Sequence, residues 1–203
     1  NVHLSLLPQW RGAAPIEHAL INGDKKTGVT IFRLVNKFDA GSILSKSPIF
    51  IDDKMNKEDL FNKLNVVGKD LLIKTILDYF NNKIILEEQD EHKATYAKKI
   101  LSKHRKINFE ENVIKVFNKI RAFSPKPGAW FMFKNERIKI LKCQTFLKDC
   151  NPSVIENSKF HIGCKGGLIE PVIMQREGKK PMGIGEFLKG FKFSIGQKVN
   201  VQI

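Results

Sequence analysis

Residues 28–35, Gly-Val-Thr-Ile-Phe-Arg-Leu-Val, are apolar or β-branched at consecutive positions instead of alternate ones. A strand of that texture hides both faces, so the chain needs a sheet with helices nearby to cover it. The neighbouring segments supply them. Pro15 stands where a helix tolerates proline and Gly23 where one ends, which predicts a helix over 14–21. Residues 42–51 read as a second strand, reached through the loop Asn36-Lys37-Phe38-Asp39-Ala40-Gly41. Asn56 is suited to an N-cap, and Leu60, Leu64, Val67, Leu71, Leu72, Ile76 and Tyr79 recur at helical spacing up to Asn81 and Asn82. With Asn1–Leu4 as the exit of a buried strand, the order is strand end, helix, strand, strand, long helix: the second half of an α/β domain.

The texture then changes. Residues 84–109 mix charge with scattered apolar positions and show no period. The expected division is a domain over 1–90, a linker over 91–109 and a second domain over 110–203. Helical spacing returns at 110–123, with Val113, Val116, Phe117, Ile120 and Phe123 on one side, and the prolines at 125 and 127 stop it. Four β-textured runs follow, at 129–133, 137–147, 159–163 and 168–174, separated by turn-rich joints at the spacing of a small antiparallel barrel. A short helix near 184–191 and a closing strand at 197–203 complete the pattern. The fold class is α/β followed by all-β.

Charge divides at the same place. Residues 1–90 balance 12 Lys+Arg against 12 Asp+Glu, so the whole net charge of +14 falls on residues 91–203. A basic domain beside a neutral one points to a polyanion, most simply nucleic acid, against a solvated lysine face. Only 6 of the 35 basic residues are Arg, which suits contact with a phosphate backbone more than bidentate reading of bases. No apolar run reaches the length of a membrane span, and the first residues lack the order of a signal peptide; a soluble intracellular protein is the expectation. Cys143, Cys150 and Cys164 have neither disulfide nor zinc spacing and read as reduced thiols, and His18, His92, His104 and His161 show no metal-ligand spacing.

The chemistry concentrates at the start. Asn1 and His3 flank one valine, so on a strand they share a face. Asn can donate to a developing oxyanion, and His can move a proton. Asp39 is the leading carboxylate partner, followed by Ala-Gly so that backbone can approach closely. Asn, His and Asp without a Ser or Cys nucleophile suggest acyl transfer in which the substrate brings its own nucleophile. On spacing alone, a merely hydrogen-bonded histidine at a strand end is the commoner reading of His3, and Asp39 by itself is more often a turn residue.

The run Asn1-Val-His-Leu-Ser-Leu-Leu-Pro8, with Gly28-Val-Thr-Ile-Phe32 and Asp39-Ala-Gly41 after it, resembles the catalytic half of the folate-dependent formyltransferases. Thr95-Tyr-Ala-Lys-Lys-Ile100, Ile120-Arg-Ala-Phe-Ser-Pro-Lys-Pro-Gly-Ala-Trp130 and Glu177-Gly-Lys-Lys-Pro-Met182 are similar to the methionyl-tRNA formyltransferases within that family. The resemblance covers nearly the whole chain, and implies a Rossmann-like domain whose first half would precede Asn1, then an OB-like barrel. It further implies that Asn1, His3 and Asp39 are catalytic and that Ser5, Leu6, Leu7 and Pro8 line the site of 10-formyltetrahydrofolate, with no metal. The formyl acceptor would be initiator methionyl-tRNA. Lys98, Lys99, Lys179 and Lys180 are the candidate tRNA phosphate contacts. A cytoplasmic, bacterial-type or organellar monomer is the corresponding expectation. The alternatives are a formyltransferase for a small amine, such as a nucleotide-linked sugar, and a non-catalytic tRNA-binding piece.

Overall fold

The computed structural model describes residues 1–200 of the 203-residue chain. They form two compact units, Asn1–Ile100 and Leu101–Ile203, the final three residues lying outside those described. Among the described residues no helix is long and apolar enough to cross a membrane.

The first unit holds β1 (Val2–His3), β2 (Arg11–Gly12), α1 (Pro15–Asn22), β3 (Lys26–Phe32), β4 (Ile43–Phe50), α2 (Lys57–Phe80) and β5 (Tyr96–Ala97). β3 is the strand required by the apolar run: six of its seven residues are buried. It lies between β1 and β4, and both ladders are antiparallel. The ten residues between β3 and β4 are too few for the helical crossover that a parallel pair needs. β1 pairs with β3, with Val2 36% and His3 6% exposed.

Pro15 opens α1, and Gly23 closes it in the left-handed conformation with φ 76°. α2 is capped by Asn56, whose side chain accepts from the amides of Glu58 and Asp59 while Asp59 reaches back to the Asn56 amide. Its buried stripe is narrower than the spacing suggested. Leu60, Leu64, Gly68 and Thr75 are buried, whereas Ile76 and Tyr79 are 46% and 47% exposed. The reason is length: 24 helical residues span about 36 Å, and seven strand residues span about 23 Å, so the last turns of α2 run past β3.

The expected linker is partly built into this unit. β5 pairs in parallel with β2, Arg11 beside Tyr96 and Gly12 beside Ala97. The approach is so close that a Cβ on Gly12, whose φ is 124°, would stand 2.5 Å from the Ala97 carbonyl oxygen.

The second unit contains α3 (Val113–Ala122), β6 (Ala129–Phe133), β7 (Glu136–Phe146), β8 (Ile162–Cys164), β9 (Gly167–Arg176), β10 (Met182–Gly183) and α4 (Ile184–Lys189). The strands pair antiparallel in the order β10-β9-β7-β6, with β8 also on β9. Register shifts near Lys142 curl β7 against β9 into a half-barrel. Lys134 and Asn135 turn β6 into β7 with φ of 47° and 63°, the backbone sign of a type I′ hairpin. Phe109, Phe123, Phe131, Phe133, Phe160 and Phe187 fill the core, with Phe160 edge-on to Phe193 at 4.9 Å. Phe117, expected on the inward stripe of α3, is only half-buried; Asn118 and Arg121 are buried there instead, joined by a 2.9 Å hydrogen bond. The closing strand expected at 197–203 is reduced, over its described part, to one bridge between Lys198 and Val154.

Candidate active site

His3 ends β1 opposite Thr30 of β3 and is 6% exposed. Thr30 ties the following turn down: its hydroxyl donates to the Ser5 carbonyl at 2.7 Å and accepts from the Leu7 amide at 3.1 Å. The Ser5 hydroxyl donates to the Gln9 carbonyl, so it accepts from His3 Nδ1 at 2.9 Å. That assigns the Nδ1 proton, and in the neutral ring Nε2 carries the lone pair. Burial pushes the His3 imidazole below its usual 6.5, against the opposing pull of Asp39.

Asp39 comes from the β3–β4 loop in a left-handed conformation, φ 48°, which Asp tolerates better than most residues. Its Oδ2 accepts from the Gly12 amide at 2.8 Å and lies 3.4 Å from His3 Nε2. The carboxylate and the imidazole are thus paired across 36 positions, with side chains 12% and 7% exposed. The 3.4 Å separation is within ion-pair reach, yet Nε2 makes no hydrogen bond. A bare ring nitrogen facing a carboxylate is a place for one more proton. Gly41, two residues on, meets the expectation of close backbone approach: a Cβ there would lie 1.8 Å from the Arg33 carbonyl oxygen.

What holds the loop was not visible in the sequence. Gln89 Nε2 donates to the carbonyls of Asp39 at 2.9 Å and Gly41 at 2.7 Å. Its Oε1 accepts from Arg11 Nε at 3.1 Å and Nη2 at 2.9 Å. The Arg11 side chain is fully buried and is also paired bidentately with Glu91 at 3.1 and 2.9 Å. Glu91 takes Lys37 of the same loop at 2.7 Å, and these two cations, Arg11 first, hold its carboxyl down to about 2. Gln89 is the one uncharged residue in the run 87–91, and that is the only mark it carries in the sequence.

The remaining candidates fall into three groups. Asn1 sits two residues before His3 on the same edge, its backbone nitrogen donating to the Phe32 carbonyl at 2.7 Å and its Oδ1 accepting from the Val2 amide at 2.8 Å. Among the described residues no hydrogen bond joins it to His3 or Asp39. Of the turn residues, Ser5 and Leu7 are buried, Leu7 against Phe32 and Ile43, while Leu6 and Pro8 keep accessible surface. Lys98, Lys99, Lys179 and Lys180 are all exposed.

An α/β unit that presents a largely buried His–Asp pair is thus followed by a basic half-barrel. Residues 1–76 match the family model "Formyl transferase" and residues 99–192 match "Formyl transferase, C-terminal domain". The chain belongs to the formyltransferase family. It is similar to the methionyl-tRNA formyltransferase of Pelagibacter ubique, 36% identical over 200 residues that cover 98% of this chain and 64% of the relative. It is 40% identical over 198 residues to that of Thermodesulfovibrio yellowstonii, covering 97% of this chain and 64% of the relative. The chain therefore spans just under two thirds of the length of these curated relatives. Among solved structures it is similar to the sugar 3N-formyl transferase WlaRD, in the presence of dTDP and 5-N-formyl-THF, with TM-score 0.71 and 25% identity over 89% of this chain and 65% of that one.

Proposed function

We propose that the chain acts in formyl transfer from 10-formyltetrahydrofolate to the α-amino group of methionyl-tRNA, with Asn1, His3 and Asp39 at the reacting atoms. The observation that carries the proposal is the His3–Asp39 pair: largely buried, 3.4 Å apart, and short of one proton. The amine nitrogen attacks the formyl carbon, and the carbonyl oxygen becomes an oxyanion to which Asn1 Nδ2 donates. The amine's proton passes to the space between His3 Nε2 and Asp39 Oδ2. The bond from the formyl carbon to N10 then breaks, and N10 leaves with a proton returned by the pair. Ser5, Leu6, Leu7 and Pro8 line the folate site in this reading, which the accessible surface of Leu6 and Pro8 supports, while the hydrogen bonds of Ser5 and Leu7 hold the turn's shape.

The second unit, read as an OB-like RNA-binding module, gives the net positive charge of residues 91–203 a partner in the acceptor arm. Lys98, Lys99, Lys179 and Lys180 are the lysines assigned to it. A protein of this kind works as a monomer in a bacterial-type cytoplasm. The similarity to a sugar 3N-formyl transferase supports a second reading, transfer to a nucleotide-linked amino sugar.

The test is transfer of radiolabelled formyl from 10-formyltetrahydrofolate by the chain to methionyl-tRNA and, in parallel, to a dTDP-linked amino sugar. Label in the RNA, lost in Asp39→Asn, is the expected result. Label in the sugar alone assigns the chain to the second reading, and label in neither refutes both.

A further inference from the structure

The β6–β7–β9 face of the second unit carries a charged cleft that the reading above leaves unused. Alternation along β7 sends Ile138 and Ile140, both fully buried, into the core and Arg137 and Lys139 to the opposite face. Register then sets their neighbours: Lys139 lies between Trp130 of β6 and Gln175 of β9, and Arg137 lies opposite Met132. Arg105 reaches the same place from the segment before α3. The result is a cleft of about 280 Å³ lined by Arg105, Arg137, Lys139, Gln175, Arg176, Glu177 and Gly178.

Its charges do not close on themselves. Arg176 is neutralised bidentately by Glu136 at 2.8 Å for both bonds. Arg105 spends its guanidinium on neutral oxygens, the carbonyls of Pro127 and Gly128 and the Ser102 hydroxyl. Arg137 lies over Trp130, its Cζ 4.3 Å from the ring centroid, and its buried Nε has no hydrogen-bond partner. Among the described residues no carboxylate pairs with Arg105, Arg137 or Lys139; exposed Glu177 lines the rim. Burial, and then repulsion from Arg137, disfavours the charged form of Arg105. Cations gathered without an anion, one held by stacking with an N–H left over, are raised in free energy, and an arriving anion lowers it. The guanidinium fork of Arg137 fits two oxygens of one phosphate, and Lys139 adds a point charge beside it.

We propose that this cleft is a phosphate site for the RNA backbone, with Arg137, Lys139 and Arg105 as its cations and Glu177 as the group that weakens it. The proposal rests on the tRNA reading for its source of phosphate. Its chemistry, a phosphate on a guanidinium–ammonium pair, is shared with a nucleoside diphosphate, and the experiment separates the two.

Using the full chain, binding of an acceptor-stem RNA duplex and of dTDP is measured by fluorescence anisotropy and calorimetry between 50 and 200 mM salt. Lys139→Gln and Arg137→Gln should each weaken RNA binding several-fold and reduce the slope of log K against log salt by about 1. Glu177→Gln should tighten RNA binding, and Lys139→Gln and Glu177→Gln leave the Trp130 stacking in place if Arg137→Gln unfolds the unit. Unchanged affinity and slope in folded Lys139→Gln and Glu177→Gln would overturn the proposal. So would dTDP competing for the cleft while the duplex does not bind. Absence of formyl transfer by the unaltered chain, with the salt slopes behaving as stated, would refute the catalytic reading and leave the phosphate site standing.

Discussion

Gly41→Ala puts the loop that carries Asp39 under direct strain. The added Cβ would sit 1.8 Å from the Arg33 carbonyl oxygen and 2.9 Å from its carbon, where real contacts stay beyond about 3.0 Å, so backbone must move by about 1.2 Å. Arg33 follows directly on β3, whose last residue, Phe32, is fixed by a 3.0 Å bond from its amide to the Asn1 carbonyl. The 37–41 loop has no ladder of its own and gives way. The Gly41 carbonyl would then leave Gln89, and Asp39 Oδ2 would leave both the Gly12 amide and His3. Overpacking of this kind costs about 2 kcal/mol in stability, and a misplacement of about 1 Å at reacting groups lowers turnover on the order of a hundredfold. A second readout needs no substrate. Asp39 raises the His3 pKa against burial, so withdrawing it moves the imidazole titration, followed by NMR, further down. Asp39→Asn, which leaves the backbone alone, should shift that titration in the same direction. A folded Gly41→Ala protein with an unshifted His3 titration and turnover within twofold of the parent would refute the account of the loop.

Three more outcomes follow from the geometry. Gln89→Leu removes two donors from the loop and the partial partner of a buried guanidinium, a loss of roughly 3–4 kcal/mol by chemical denaturation; Gln89→Glu keeps the Arg11 contact but repels the two carbonyls, so it should shift the His3 titration while sparing more stability. Because the folded His3 pKa is below 6.5, the unfolded chain takes up the proton first. This contribution to stability is whole above pH 6.5 and is lost as pH falls through the folded value, a dependence that His3→Gln should flatten in urea midpoints. Asn56→Ala deletes a cap that satisfies two amides and should cost about 1 kcal/mol in the same assay.

Features set by neighbours in the chain were legible in advance. Pro15, Gly23 and Asn56 mark helix ends through local backbone chemistry, and Gly41 marks a close approach. What depends on distant partners was not. Periodicity identified α2 but could not say where β3 stops beneath it, so Ile76 and Tyr79 were placed on a stripe that ends earlier. Gln89 contacts residues 48 to 78 positions away, and nothing in a run of acids distinguishes such a residue from a solvated one. The cleft in the second unit lies between these cases: alternation of Arg137, Ile138 and Lys139 is local, but the rows that set Trp130 and Gln175 beside Lys139 exist only once the strands pair.

The peptide at Gly12 is pinned from two directions. Its amide steadies the carboxylate of Asp39, and its α-carbon is pressed against Ala97, one residue before the lysines at 98 and 99. One glycine therefore links the backbone that leads into Lys98 and Lys99 to the carboxylate that faces His3. Any side chain at position 12 would push these two neighbours apart, because its Cβ would stand 2.5 Å from the Ala97 carbonyl oxygen.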